Sequence, residues 1–307
     1  MLINPTLKSE VLQDQVAIVT GGSRGIGGAA AEMLAANGAH VVIADVDKQE
    51  TEEAASRICN EYGADRVSTF VADLIGVDAC DQLVEKVLND HGRIDTVVNS
   101  AGYAWDGGIH SMSDDQFQAM LDIHAIVPFR IARASAPYFR QAALDDNEAG
   151  IERHRKTIMI SSMAAQWGLV GAGNYATGKA AMLGLMRTLA QEWGKHRVNV
   201  NAVAFGGVQT RFGLPQSEHE VVESGGHKIH VGVAHRRAEA LGLKIDRDAP
   251  PTNEEIYSPR ANKNTLFGRN GTIREAADAI FWLASPLSDF VTGQVIAVSG
   301  GAQGGMS

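Results

Sequence analysis

Thr20-Gly21-Gly22-Ser23-Arg24-Gly25-Ile26-Gly27 stands between an apolar, β-branched run, Val16–Thr20, and a small-residue-rich helical stretch, 25–37. A strand that runs into a glycine turn from which a helix opens is a phosphate-binding arrangement. Glycines permit the tight turn and let the backbone come close to a pyrophosphate, while the helix presents free amides and its positive dipole end to that anion. Gly21, Ser23, Arg24, Gly25, Ile26 and Gly27 are therefore candidate cofactor contacts. The dinucleotide fingerprint is matched loosely, as Gly25-x-Gly27-x-x-Ala30, and gains weight from Asp45. That residue ends the next apolar run, twenty residues after Gly25, where an acid can accept hydrogen bonds from a ribose diol. Its charge would repel a 2′-phosphate, which favours NAD over NADP; Arg24, a guanidinium beside the glycine turn, pulls the other way.

Across the chain, apolar runs at Val16–Thr20, His40–Asp45, 67–72, 94–99, 157–161, 198–203 and Val295–Val298 read as strands. Helical patterns lie between them, at 25–37, Lys48–Tyr62, 79–90, 114–139, 175–194 and Ile273–Ala284. The repeated unit of strand, crossover helix and strand predicts an α/β fold: a doubly wound, mostly parallel, Rossmann-type sheet with helices on both faces. Ser113 with Gln116, and Thr272 with Glu275, have the spacing of capping boxes. One domain over residues 1–307 is expected, with two interruptions. Residues 141–155 are charged and read as a surface insertion. Residues 214–264 are polar and rich in Gly, Pro and His, with a brief helical pattern at 233–241, and read as a substrate-lid insertion.

The balance of charge narrows the function. A formal net charge of -9 argues against nucleic acid, which requires clustered positive charge. Cys59 and Cys80 are too few for a disulfide framework and lack metal-ligand spacing, which fits a reducing compartment. Residues 1–15 hold no long apolar run, so neither a secretory signal nor a membrane span is read there, and a cytoplasmic location is expected.

Tyr175-Ala-Thr-Gly-Lys179 begins a helix, and the four-residue spacing puts both side chains on one face. Hydride exchange at a carbonyl carbon requires a proton to move at its oxygen, yet an ordinary phenol, with a pKa of about 10, is a poor base at neutral pH. A neighbouring ammonium would lower that pKa, and Lys179 can also reach a cofactor ribose. Ser162, at the end of a strand thirteen residues earlier, can donate a hydrogen bond to the substrate oxygen.

These residues resemble those of the short-chain dehydrogenase/reductase family, over nearly the whole chain from Gln15 to Gly301. The similar segments are the octapeptide, Asp73 after the third strand, Asn99-Ser-Ala-Gly102, Ile160-Ser-Ser162, Tyr175-x-x-x-Lys179 and Thr292-Gly-Gln-Val-Ile-Ala-Val-Ser-Gly-Gly301. The resemblance implies that Ser162, Tyr175 and Lys179 are catalytic, that Asp73 meets the adenine and that Leu74 is a further cofactor contact. It also implies that Asn99, Ala101 and Gly102 border the cofactor, that Val208 and Thr210 contact the carboxamide, and that the chain forms a homotetramer or homodimer on its long helices.

Two departures stand out. His124 occupies the place where the family often has an Asn that holds a water in a proton relay; it can still donate and accept, and is taken as a relay candidate. Ala204-Phe205-Gly206-Gly207 stands where Pro-Gly is usual, so a differently shaped loop is expected beside the nicotinamide. A long lid suits a large, enclosed substrate, and the pattern is most similar to 3-oxoacyl-thioester reductases and hydroxyacyl-CoA dehydrogenases, with secondary-alcohol or steroid dehydrogenases as the alternative. The lid histidines, His219, His227, His230 and His235, lack a cysteine partner or a His-Glu-x-x-His pattern, so no metal is expected. An NAD-binding sensor without turnover is the rival outside enzymology; epimerases and dehydratases of related fold usually differ in glycine spacing.

Overall fold

The computed structural model describes residues 10–216, 220–233, 252, 256, 257 and 260–302. The strands β1 (Val16–Thr20), β2 (His40–Asp45), β3 (Val67–Val71), β4 (Thr96–Asn99), β5 (Arg155–Ser162), β6 (Val198–Phe205) and β9 (Val295–Val298) form one parallel sheet, in the order β3-β2-β1-β4-β5-β6-β9. Chain order reverses between β1 and β4, and a crevice forms beyond the carboxyl ends of the strands at such a switch point.

The helices lie in two layers. On one face α1 (Gly25–Ala36), α2 (Lys48–Tyr62) and the helix α8 (Ile273–Ala284) enclose Val19, Ile43, Val203 and Ile280. On the other, α3 (Ala79–His91), α4 (Asp114–Leu121), α5 (Val127–Glu148) and α7 (Gly173–Trp193) enclose Ile18, Val42, Val97 and Met159. A single turn, α6 (Ala164–Trp167), follows β5. β1 and β4 to β6 are covered from both sides and buried along nearly their whole length, which is why β1 reads as a nearly unbroken apolar run, while β5 and β6 bury polar residues among their apolar ones. Both capping boxes form: Gln116 N–H donates to Ser113 Oγ at 3.2 Å and Glu275 N–H to Thr272 Oγ1 at 3.1 Å, each answered by the longer side chain.

Three expectations are corrected. The charged stretch 141–155 is not an irregular excursion throughout: residues 147–152 are exposed, but α5 continues to Glu148 and β5 begins at Arg155, whose guanidinium meets Asp146 at 2.8 Å with both residues buried. The expected helix 114–139 is interrupted by a single π-helical turn, Asp122–Ile126, that carries His124. Such bulges turn a side chain inward at the expense of regular pairing. β6 runs two residues further than expected, to Phe205, where Met163 N–H donates to Phe205 O at 2.9 Å and Gly206 N–H to Val298 O at 3.1 Å.

The 214–264 insertion is more ordered than its composition suggests. Strands β7 (Val221–Ser224) and β8 (His227–His230) pair antiparallel across Gly225-Gly226, whose φ angles of +60° and +78° suit a primed two-residue turn. Of the helical pattern at 233–241, all but Val233 lies outside the described residues, as do His219 and His235.

Candidate active site

The glycine turn is shaped by contacts that exclude side chains. A Cβ on Gly27 would stand 2.1 Å from Gly21 O, and one on Gly21 would stand 2.7 Å from Ala101 Cα. Gly21 and Gly25 also adopt φ of +61° and +58°, which β-carbon-bearing residues resist. Arg24 supplies no side-chain cap to α1, so the first amides, around Gly25, Ile26 and Gly27, stay available to an anion. Thr20 Oγ1 accepts from the Ser100 and Ala101 amides, each at 3.1 Å, and so ties the end of β1 to the loop after β4. In that loop Asn99 is buried and its Oδ1 has no partner, an acceptor left for a donor from outside the chain. These features fit a dinucleotide.

Around the second strand end the charges are sorted. Asp45 accepts from Ser23 Oγ at 2.6 Å and from the Ser23 amide at 3.2 Å. The Arg24 guanidinium turns to Glu50 at 3.2 Å and Asp47 at 3.6 Å. Glu220, from the lid insertion, lies close enough to feel both Arg24 and Asp47, and its carboxyl is raised chiefly by burial. Asp73 accepts from Ser224 Oγ at 2.9 Å and from the Gly225 and Ile75 amides at 2.7 and 3.1 Å, and Leu74 beside it is buried.

Ser162 at the end of β5, Tyr175 and Lys179 on α7, and His124 on the π turn converge. Lys179 Nζ lies 5.7 Å from the centre of the Tyr175 ring, and the His124 ring meets Tyr175 edge-on at 5.2 Å. Lys179 is buried and donates to Ile160 O at 2.7 Å. Burial lowers its ammonium pKa to about 7. The Tyr175 phenol is pushed the other way, up to about 12, by burial, with the Ser162 hydroxyl pulling it down and Asp106 adding to the rise. The expected lowering of the phenol pKa by a nearby ammonium is not found: burial dominates, and the hydroxyl of Ser162, not Lys179, supplies the opposing pull. His124 is buried and held well below the usual imidazole range, first by desolvation and then by Lys179. Its Nε2 lies 2.9 Å from Tyr103 O; a carbonyl only accepts, so Nε2 carries the hydrogen and Nδ1, which has no partner, is a bare acceptor.

Sequence reasoning missed the residues that hold this group together. Asn174, fully buried, donates to Trp105 O at 3.0 Å and Gln116 O at 2.9 Å and accepts from the Tyr175 amide at 2.9 Å. It anchors the start of α7 to α4 and to the loop after β4. An Asn directly before the expected helix start at Tyr175 was the available signal, although α7 itself begins one residue before that Asn, at Gly173. Gly102 and Gly178 make room for His124: a Cβ on Gly102 would stand 2.4 Å from its Cε1, and one on Gly178 3.1 Å from its Cβ.

After β6 the substituted loop keeps its own constraints. Cβ atoms on Gly206 and Gly207 would stand 2.9 Å from Ser299 Cβ and 2.4 Å from Asn270 Oδ1. Val208 pairs with Gly271, and the buried Thr210 gives its carbonyl to Arg260 at 3.2 Å. The structure therefore brings Ser162, Tyr175, Lys179 and His124 together, while Val208 and Thr210 stand in the loop that follows β6. Among the described residues no group of three or more His, Cys, Asp or Glu could hold a metal ion. Nor is any described helix long and apolar enough to cross a membrane.

A parallel seven-stranded sheet, a glycine turn at its switch point and a Ser, Tyr and Lys group beyond the strand ends define a nicotinamide-type oxidoreductase fold. The sequence pattern described as short chain dehydrogenase matches residues 15–221, and that described as enoyl-(acyl carrier protein) reductase matches 246–303. The chain belongs to the short-chain dehydrogenase family. It is 33% identical to the short-chain reductase protein NovJ of Streptomyces niveus, over 96% of this chain and 97% of that one. It is 28% identical to the 3-oxoacyl-(acyl-carrier-protein) reductase FabG of Thermotoga maritima, over 94% and 98%, and 26% identical to that of Escherichia coli, over 94% and 97%.

Proposed function

We propose that the protein is an NAD(H)-dependent oxidoreductase that interconverts a 3-oxoacyl and a 3-hydroxyacyl thioester. The observation that carries the reading is the convergence of Ser162, Tyr175 and Lys179 beside His124 at the carboxyl ends of β4 and β5. The nicotinamide, when bound, exchanges a hydride with the substrate carbon. The chain handles the proton. At neutral pH the Tyr175 phenol holds its hydrogen, being raised to about 12, and gives it to the carbonyl oxygen as negative charge grows there. Ser162 donates a second hydrogen bond to that oxygen. Lys179, at about 7, exchanges a proton readily and returns one toward the phenolate, while neutral His124 offers Nδ1 as an acceptor in the relay.

The charges at the second strand end bear on cofactor choice. Asp45 faces the glycine turn, and Arg24 is engaged by Asp47 and Glu50, so it is withdrawn from a 2′-phosphate. This supports NAD over NADP. The names of the relatives support a 3-oxoacyl thioester, and the long insertion after Thr210 suits a large substrate. We further propose a cytoplasmic homotetramer or homodimer.

The test is a turnover screen of acyl-thioester ketones, steroids and simple secondary alcohols with both nicotinamides. Expected are highest kcat/KM for 3-oxoacyl thioesters and at least a tenfold preference for NADH, the size of about 1.4 kcal/mol in transition-state stabilisation. Equal or better efficiency with NADPH overturns the cofactor assignment. Best turnover of steroids or simple alcohols overturns the substrate. Binding of NADH with no turnover of any carbonyl or alcohol turns the reading to a sensor.

A further inference from the structure

The hairpin β7–β8 is two-faced. Pairing of Val222 with Ile229 and of Ser224 with His227 puts those four residues on one side, and Glu223 with Lys228 on the other. The first side is pressed onto the body of the protein. Ile229 is 1% exposed and joins the apolar cluster that contains Leu74 and Tyr103, with Trp105 and Ile75 packed against that cluster. The His227 ring lies 5.2 Å from that of Trp105. Ser224, 4% exposed, and the Gly225 amide take opposite oxygens of the Asp73 carboxylate, at 2.9 and 2.7 Å.

Asp73 follows β3 and Trp105 follows β4, so the hairpin crosses the crevice outside the carboxyl ends of the strands on the β3 side of the switch point. Both Asp73 oxygens are engaged by its tip, and Ile75 N–H adds a third bond. A carboxylate offers about four acceptor positions, and three of those on Asp73 are taken, so an exocyclic amine that donates to Asp73 must share the carboxylate with the docked hairpin tip.

We propose that the β7–β8 hairpin is an autoinhibitory latch that occupies the adenosine end of the cofactor crevice through Asp73, so that the dinucleotide binds only as the hairpin lets go. This rests on the reading of Asp73 as the adenine contact, with Leu74 beside it as a cofactor contact. The hairpin acts as an intramolecular competitor, and the apparent affinity for cofactor is reduced by the fraction of molecules in which it is docked. A hairpin that instead folds over bound cofactor would have the opposite linkage, because contacts to it would add to affinity.

The experiment is hydrogen exchange of the full chain with and without saturating NADH, beside a fluorescence titration of NADH against wild type, Ser224→Ala and Ile229→Ala. The latch predicts faster amide exchange across 221–230 when NADH is bound. Loss of the charge-assisted Ser224 bond should tighten NADH binding roughly tenfold, and Ile229→Ala should tighten it in the same sense. Slower or unchanged exchange in the NADH complex overturns the latch, as does weaker or unchanged NADH affinity in Ser224→Ala. The wild-type exchange arm decides the matter if Ile229→Ala fails to fold. A wild-type titration that shows no NADH binding overturns the cofactor reading itself, and the latch with it.

Discussion

Replacing Lys179 with Met should make the chain's stability less dependent on pH, by an amount that the site specifies. The ammonium falls from an ordinary 10.5 to about 7 in the folded protein, because its burial is answered by a single carbonyl, Ile160 O. Between those values the native Lys179 is neutral and the unfolded one is charged, so the unfolded state holds one more proton. Stability contributed by this group therefore rises with pH, by about 1.4 kcal/mol per pH unit, from near pH 7 until it levels off above pH 10. Keeping the amine neutral at pH 7 thus costs roughly 4–5 kcal/mol relative to a site that left it unperturbed. Met keeps the length of the side chain and cannot titrate. It also leaves Ile160 O without its donor, a cost of about 1–3 kcal/mol that does not change with pH and so cancels in a comparison across pH. The assay is urea unfolding of wild type and Lys179→Met without cofactor, at pH 7.5 and 9.5. The stability of wild type minus that of the variant should grow by about 2–3 kcal/mol between the two. A difference that stays constant would show that Lys179 titrates normally and would remove it as a proton carrier near neutrality.

Other consequences are as direct. Gly102→Ala drives a methyl to 2.4 Å from a buried His124 ring and should destabilise by about 1–3 kcal/mol, whereas in a His124→Ala background the same change should cost little; equal costs in both would mean the ring is not the obstacle. Asn174→Ala removes three hydrogen bonds and should lower stability by about 3 kcal/mol and kcat more than the KM for cofactor; an unchanged kcat in the folded variant would exclude a role in aiming Tyr175. Asp47→Asn with Glu50→Gln releases Arg24, and calorimetry should find 2′,5′-ADP binding improved about tenfold relative to 5′-AMP; an unchanged ratio would show that those acids do not restrain the guanidinium.

What was legible in the chain is what depends on backbone requirements and short spacings. Gly21 and Gly25 announce themselves because only glycine accepts their dihedral angles cheaply, and Tyr175 with Lys179 because four residues make one helical turn and a little more. The capping boxes at Ser113 and Thr272 are equally local. Within 141–155 charge signals exposure correctly at 147–152 but not at Asp146 and Arg155, which pair inside; that pairing crosses a turn and leaves no periodic trace. The π turn at His124 and the room left for it by Gly102 and Gly178 are tertiary facts. The hairpin is different: alternating residues on either side of Gly225-Gly226 carried the signal, and the polar composition of the surrounding stretch obscured it. Asp45 against Arg24 could be weighed from sequence but not resolved, since the answer lies with Asp47 and Glu50, which the fold brings to the guanidinium.

The central claim is that the Tyr175 hydroxyl delivers the proton to a substrate carbonyl. Single-turnover reduction of a 3-oxoacyl thioester by wild type and Tyr175→Phe, each preloaded with NADH and with the NADH affinity measured separately, tests it most directly. The expected result is a fall in the single-turnover rate of at least a hundredfold with NADH affinity within a few-fold of wild type. A near-normal rate in Tyr175→Phe would contradict the claim.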